Sequence, residues 1–279
     1  MIAIRSRMVS QLWLSLFVGV ACVWCIFPFY WMVTTSLRPT HRLYDRPPEL
    51  FPTEITFDHY IGLFFGWNFW TYAFNSFWLT GIVTLLALAL AIPGGYALAR
   101  YRFVVSKLLP FIVLYAQLLP SVLLVVPFYA QLRRWGLLDS LYGLVPVYLS
   151  FILPLCLWLL RGFFVKIPIE LEEAALIDGC TRWQVLWRIV IPVSSPGIVA
   201  VGTWAMIQAW NEYLYAATFL SGDDRKTLTI ALSAIIGERT TDWGRLMAGG
   251  VVTSIPIIII FSMLQRYLVS GLAGGSVKG

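Results

Sequence analysis

Long apolar runs alternate with short polar segments along the whole chain. Crossing a hydrocarbon core of about 30 Å takes about 20 apolar residues in a helix. Six runs reach this length, at residues 12–33, 77–99, 108–132, 141–160, 197–219 and 246–264. Because a helix satisfies its own backbone hydrogen bonds, each run predicts one transmembrane helix. The pattern predicts an all-α, polytopic membrane protein with six spans in one domain over residues 1–279.

The first run follows Arg5 and Arg7, as the apolar part of a signal peptide would. Its length exceeds that of a signal-peptide core, and no small-x-small cleavage pattern follows it. We therefore expect an uncleaved first helix.

The polar segment at residues 165–195 lies between the fourth and fifth runs and carries its own helix signals. Pro168 suits a helix start, and Gly179 suits a left-handed helix end. Thr181 and Gln184 match a capping box for a second helix, which Pro192 is expected to end. The segment predicts a helix–turn–helix, followed by a fifth span that opens at residues 195–196.

Each of these two short helices has an apolar stripe. On the first helix the stripe comprises Leu171, Ala174 and Ala175, and on the second it comprises Trp183, Leu186, Trp187 and Val190. An amphipathic elbow that is tied to membrane spans at both ends suits docking against a partner. The alternative is an ordinary interfacial loop.

Composition excludes a water-soluble protein. Hydrophobic residues make up 59% of the 279 residues and charged residues 12%, against about 25% charged in an ordinary soluble domain. The net charge of +6 comes from basic residues beside apolar runs rather than from a Lys/Arg block. Membrane lipid accounts for them, and no nucleic-acid partner is expected. The distribution of basic residues over the short loops modestly favours cytoplasmic N- and C-termini.

Cysteine and histidine placement predicts neither a disulfide nor a metal site. Cys22 and Cys25 lie inside the first apolar run, and Cys156 lies in another. A metal site would need further ligands in a polar setting. The only histidines, His41 and His59, fall in one outer segment, and no catalytic triad or metal-ligand spacing stands out.

One pattern in the elbow segment is specific. Glu173-Ala174-Ala175, three residues, Gly179, nine residues, then Ile189-x-Ile191-Pro192 resembles the EAA motif of ABC importer permeases, with Ile191 where Leu is usual. Residues 28–38, 75–76, 95–100, 209–213 and 265–279 resemble the carbohydrate-uptake branch of that family. The chain is similar to the smaller, six-helix permease subunit of maltose-type and glycerol-3-phosphate-type systems.

The resemblance implies partners and a division of labour. Such a subunit pairs with a second, different permease, binds two copies of an ABC ATPase, and receives solute from an extracytoplasmic binding protein. The elbow is then the coupling helix that sits in a cleft of the ATPase. The residues that the resemblance assigns to this coupling are Glu172, Glu173, Ala174, Ala175, Asp178, Gly179, Ile191 and Pro192.

The resemblance also concerns the glycine-rich C-terminal tail. In the family the tail reaches the ATPase dimer, so Ser276, Val277, Lys278 and Gly279 are expected to contact it. A frayed terminus is the alternative.

Polar residues inside the fifth run are candidates for a solute path, because polar groups are costly in a membrane. Amides suit sugar hydroxyls, and aromatic rings suit the C–H faces of a sugar. The same residues also suit contact with the binding protein or with the partner permease. The candidates are Gln208, Trp210, Asn211, Glu212 and Tyr213, with Gln117 from the third run.

The chain lacks the phosphate loop G-x4-G-K-[ST], so we expect that it does not hydrolyse ATP and is not an enzyme. The resemblance implies that ATP and Mg are bound by the partner ATPase, with no cofactor in this chain. The expected function is translocation of a sugar across the cytoplasmic (inner) membrane by alternating access. A permease for glycerol-3-phosphate or polyols, and a self-sufficient secondary carrier, are the alternatives.

Overall fold

The computed structural model describes residues 2–101, 108–109, 111–113, 115, 118–237 and 241–273. Regular structure within these residues is helical, apart from an isolated antiparallel bridge between Ile236 and Thr241. The all-α fold class is therefore confirmed.

The helices are numbered here in chain order. They are α1 Ile2–Ser36, α2 Asp58–Phe65, α3 Phe69–Arg100, α4 Val125–Trp135, α5 Leu141–Phe164, α6 Ile169–Ile177, α7 Arg182–Val193, α8 Ser195–Asn211, α9 Leu214–Phe219, α10 Leu228–Ser233 and α11 Trp243–Ala273.

Four stretches of helix in the described residues are long and apolar enough to cross a membrane. These are Trp13–Ser36, Phe69–Arg100, Leu141–Phe164 and Trp243–Gln265, and they contain most of the first, second, fourth and sixth predicted runs. The bent pair formed by α7 and α8 is a fifth candidate. The number of helices agrees broadly with six spans.

Two of the predicted runs are not continuous helices. The third run, residues 108–132, lies partly outside the described residues, and within them the helix ends before Pro120 and resumes at α4 after a 3-10 turn at Ser121–Leu124. The fifth run, residues 197–219, is interrupted between α8 and α9 at Glu212. Proline lacks the N–H that continues a helix, which accounts for the first break. No proline lies at the second break.

The chain divides into two compact units. The first comprises Met1–Phe69 and Leu232–Ile255, and the second comprises Trp70–Ala231 and Pro256–Gly279. In the first unit, buried His59 bonds through Nε2 to the backbone oxygen of Arg38 at 2.9 Å. Apolar side chains of α1, such as Phe17 and Trp24, are exposed, as suits a helix in contact with lipid.

The second unit has an extensive apolar core made mainly by α3, α5 and α8. Its fully buried members include Val83, Leu144 and Ile152. Small residues let the helices approach closely, and a Cβ added at Gly197 of α8 would lie 2.5 Å from the Phe163 ring of α5. The same core continues into the elbow segment, where Ala175, Leu186 and Val190 are buried in it.

Candidate functional site

The elbow at residues 165–195 consists of the two helices that the sequence predicts. Pro168 precedes α6, and Gly179 adopts a left-handed φ of +87° just after it. The amides of Gly179 and Cys180 then donate to Leu176 O and Ala175 O, which closes the end of the helix. Thr181 and Gln184 form the predicted capping box at the start of α7. These local signals are confirmed. They could be predicted because each depends only on neighbours in sequence.

The predicted coupling residues divide between two faces of α6. Glu173, Ala174, Asp178 and Gly179 are exposed. Glu172 and Ala175, three residues apart and therefore on one helix face, are buried. On α7, Ile191 is partly buried and Pro192 is exposed. One surface of α6 is thus open to a partner, while the other is packed against its own chain.

The inward face of α6 holds a buried ion pair. The Glu172 carboxylate accepts hydrogen bonds from Arg100 Nε at 2.6 Å and from the Tyr96 hydroxyl at 2.7 Å. A second Arg100 nitrogen lies 2.5 Å from the same carboxylate. Both acceptor oxygens are therefore satisfied by groups on α3.

The four residues of the predicted apolar stripe of α7 divide between two environments. Leu186 and Val190 are fully buried, whereas Trp183 and Trp187 are 60% and 59% exposed. A π-helical turn at Leu186–Val190 changes the angle between successive side chains from Leu186 onward, so the 3.6-residue periodicity does not hold through Trp187 and Val190. The two tryptophan rings instead pair edge to face, with centroids 6.5 Å apart.

The junction of α7 and α8 also differs from expectation. Pro192 does not end the second helix, which runs to Val193, whereas α8 begins at Ser195 as predicted. The Ser194 hydroxyl donates to Val190 O, so it does not cap the next helix. The axes of α7 and α8 are bent by 81° at this junction. The second helix of the elbow therefore meets α8 at a sharp angle.

The break between α8 and α9 opens onto a cavity of about 460 Å³. Four of the six candidates for the solute path line it, namely Gln208, Asn211, Glu212 and Tyr213. Its other lining residues are Leu119, Ser121, Phe151, Trp204, Leu214 and Tyr215. Gln208 and Asn211 thus line the same space as several aromatic rings, and Asn211 Nδ2 also donates to Ile207 O at 3.0 Å.

Glu212 has a structural part in this cavity. Its two carboxylate oxygens accept hydrogen bonds from the backbone amides of Tyr215 at 2.8 Å and Ala216 at 3.1 Å. The carboxylate therefore caps the start of α9, whose first N–H groups lack partners in the helix. Its own backbone oxygen accepts from the Thr229 hydroxyl at 2.9 Å. These bonds stabilise the break in the helix and direct the chain away from α8.

Trp210 is separated from the other candidates. It is buried, and its ring packs edge to face on Phe77 with centroids 4.9 Å apart. It therefore lines a different cavity from that of Gln208. Gln117 and the tail residues Ser276, Val277, Lys278 and Gly279 lie outside the described residues.

A loop after α9 is held tightly to its surroundings. The Asp139 carboxylate accepts from the amides of Ser221 at 2.8 Å and Gly222 at 3.0 Å, and these bonds hold its pKa below the ordinary value. On the other side, the Asn75 amide donates to Asp224 O and Lys226 O, each at 2.9 Å. The loop thus presents its exposed acidic side chains from a fixed backbone.

Residues 91–274 match the family model described as the binding-protein-dependent transport system inner membrane component. The chain belongs to this family.

Individual members of this permease family match the chain over nearly its whole length. The chain is 36% identical to the diacetylchitobiose uptake system permease protein DasC of Streptomyces coelicolor, over 99% of this chain and 100% of that one. It is 35% identical to the trehalose transport system permease protein SugB of Mycobacterium tuberculosis, over 92% and 93% of the two chains.

A solved structure has the same fold. A chain of a bacterial ABC transporter involved in the import of the acidic polysaccharide alginate superposes with a TM-score of 0.81. The sequences are 24% identical, and the match covers 95% of this chain and 98% of the other. The polytopic fold expected of a family permease is therefore confirmed.

In this permease, some residues reach the elbow or the cavity from distant parts of the chain, and the sequence analysis did not predict them. Arg100 and Tyr96 lie 72 and 76 residues before Glu172. Phe151 and Ser121 reach the cavity from α5 and from the turn before α4. The only signal for Arg100 is that a charge at the end of an apolar run needs a partner or solvent. Among the described residues, no cluster of His, Cys, Asp or Glu is fit to hold a metal ion.

Proposed function

We propose that this chain is one of two different membrane-spanning subunits of an ATP-driven importer that moves a carbohydrate across the cytoplasmic membrane. Its family consists of inner membrane components of binding-protein-dependent transport systems. The observation that carries the carbohydrate assignment is the cavity at the break between α8 and α9.

The chemistry of this cavity suits a sugar. Gln208 and Asn211 supply amides that can pair with hydroxyl groups in either direction. Trp204, Phe151 and Tyr213 supply ring faces on which sugar C–H groups can pack. A volume of about 460 Å³ is within the range of small-molecule sites.

The charge of the lining favours a neutral sugar over glycerol-3-phosphate. Among the described lining residues, the one ionisable carboxylate is Glu212, and no Lys or Arg is present. Phosphate recognition normally uses Arg or Lys, and a carboxylate repels a phosphate. Neutral polyols stay compatible with the amides. The sugar relatives that the chain resembles support the carbohydrate class.

The proposal assigns each remaining part of the complex to a partner. A second, different permease completes the pathway, two ABC ATPase copies bind ATP and Mg, and an extracytoplasmic binding protein delivers solute. This chain then performs no hydrolysis and has no cofactor of its own. Both termini are cytoplasmic, so the elbow faces the ATPase with Glu173, Ala174, Asp178 and Gly179 on its exposed surface. The tail residues 276–279 reach the same ATPase.

The test begins with purification of the tagged chain after expression with its neighbouring genes. We expect a second permease and an ATPase to co-purify, and the reconstituted complex to take up sugar only with ATP and binding protein. A chain that purifies alone and carries solute along an ion gradient would instead establish a secondary carrier.

The cavity is tested by Gln208→Leu in the reconstituted complex, with Thr218→Val as a matched control. Thr218 is exposed on α9, and its hydroxyl donates to Leu214 O within its own helix. Loss of one hydrogen bond to a sugar should lower uptake at low solute by roughly tenfold. Equal uptake by the two variants would remove Gln208 from the solute path. Stronger inhibition by glycerol-3-phosphate than by sugars would contradict the assignment to neutral carbohydrate.

A further inference from the structure

The elbow carries three acids in its first helix, and they differ in environment. Glu170 and Glu173 are exposed, whereas the Glu172 side chain is 3% exposed. A carboxylate in this position cannot contact a separate protein without first breaking its contacts within its own chain. Glu172 therefore needs a different role from that of Glu173.

The partner of Glu172 is the end of a membrane-spanning helix. Arg100 is the last residue of α3, and its side chain is 9% exposed. It faces the carboxylate with two nitrogens, while Tyr96, one turn earlier on α3, donates to the other oxygen. Both arginine nitrogens approach Oε1 while the Tyr96 hydroxyl donates to Oε2, so the carboxylate is held at both of its oxygens.

Two further contacts join the same end of α3 to the elbow. Arg100 also donates to the backbone oxygen of Ile167 at 3.0 Å, two residues before α6 begins. The guanidinium of Arg182, at the start of α7, lies 5.8 Å from the centre of the Tyr101 ring. The C-terminal end of α3 therefore contacts the elbow at two places, one just before α6 and one at the start of α7.

Burial makes the Glu172–Arg100 pair hard to separate. Withdrawing either partner would leave an unpaired charge in a desolvated site, which is strongly unfavourable. Well-packed apolar side chains could hold two helices together as firmly. What the ion pair adds is one defined orientation between α6 and α3.

We propose that Glu172, Arg100 and Tyr96 form a latch through which displacement of the elbow moves α3. Glu172 is then a positioning residue that transmits motion within the chain, and the contact with the ATPase is made by its exposed neighbour Glu173. The latch rests on the proposed function, because an ATPase must displace the elbow. It adds a route by which that displacement reaches a membrane-spanning helix distant in sequence.

The first test compares Glu172→Gln with Glu170→Gln in the reconstituted complex. Gln keeps the shape of the side chain but removes its charge, and Glu170 is an exposed acid in the same turn. We expect Glu172→Gln to assemble and to hydrolyse ATP, but to transport roughly tenfold less solute per ATP than Glu170→Gln. Glu173→Lys should instead weaken recovery of the ATPase.

The second test separates transmission of motion from folding. Glu172 and Arg100 are both replaced by cysteine in a chain whose four native cysteines have been removed. A short, reducible bis-methanethiosulfonate reagent then joins the two positions. We expect transport per ATP to be low before linking, to rise on linking and to fall again on reduction, all in one protein sample.

The outcomes distinguish the latch from the proposed function. If the unmodified complex recovers no ATPase, the importer itself is refuted. If it couples normally and Glu172→Gln matches Glu170→Gln, the latch is refuted while the importer stands. A linked protein that hydrolyses ATP but cannot transport would also overturn the latch, because the elbow would then have to separate from α3.

Discussion

At the scale of single residues, Gly179 links backbone conformation to the shape of the elbow. Its φ of +87° lies in the left-handed region, where a Cβ collides with the chain's own backbone. No other atom lies within 4 Å of the position that a Cβ would occupy. Any cost of substitution there comes from the backbone alone.

Gly179→Ala should therefore destabilise the elbow by about 1 kcal/mol, the usual penalty for a left-handed L-residue. Gly179→Asn should cost less, because Asn adopts this conformation more readily. Thermal unfolding of the purified complex and transport per ATP would measure both effects. Equal losses in the two variants would mean that the surface at this position, rather than its conformation, matters.

The inward orientation of the Glu172 side chain is a residue-scale feature that the sequence alone did not predict. Helical spacing places Glu172 and Ala175 on one face, but it does not say whether that face is buried. The answer depends on Arg100, which reaches the elbow from 72 residues away. Local signals such as Gly179 and Thr181 were predictable because their partners are neighbours in sequence.

At the scale of helices, the close contact of α8 with α5 is set by Gly197. A Cβ there would lie 2.5 Å from the Phe163 ring, which is partly buried against the core. Gly162, on α5 beside Phe163, has open space around the same position. The two glycines form a matched pair.

Gly197→Ala should lower the free energy of unfolding by about 1–3 kcal/mol, as an overpacked interface does. Gly162→Ala should be neutral or slightly stabilising, since Ala favours helices. Apparent melting temperatures of the two variants would show the difference. Adding Phe163→Leu should recover part of the loss in Gly197→Ala, and no recovery would argue against a clash with that ring.

The spans themselves were largely predictable, because a membrane requires a minimum length of apolar helix. The breaks were not. The apolar run through residues 197–219 contains no proline at its break, and the chain leaves the helix there because Glu212 caps the start of α9. The π-helical turn in α7 gave no sequence signal beyond the nearby Pro192. The break at Glu212 lies beside the cavity, and the π-helical turn lies in the elbow.

At the scale of the whole molecule, distant segments meet at the loop after α9. Asp139 precedes α5, Asn75 belongs to α3, and both hold residues 221–226. Bonds from the amides of Gly222 and Ser221 lower the pKa of Asp139 below its ordinary value of 3.8. The ionised carboxylate therefore stabilises the loop. Its contribution is fully present above pH 3.8 and is lost as the pH falls through the lowered pKa.

Hydrogen exchange of the Ser221 and Gly222 amides should show this dependence. Protection should stay constant from neutral pH down to about 4 and should decline only at more acidic pH. Asp139→Asn keeps the acceptor oxygen and tolerates the left-handed φ of 53° at this position. Protection in this variant should be lower at neutral pH and nearly flat with pH. A decline in the variant that matches the wild type would assign the pH dependence to another group.

The bend of 81° between α7 and α8 has a mechanical consequence. If the angle is preserved when α7 is displaced, α8 rotates with it about the junction. Helix α8 has 17 residues, or about 26 Å at 1.5 Å per residue. A rotation of about 5° at the junction would carry Asn211 through about 2 Å, which is the size of helix shift that switches many allosteric proteins. Leverage of this kind would let a small movement of α7 change the width of the cavity that Asn211 lines.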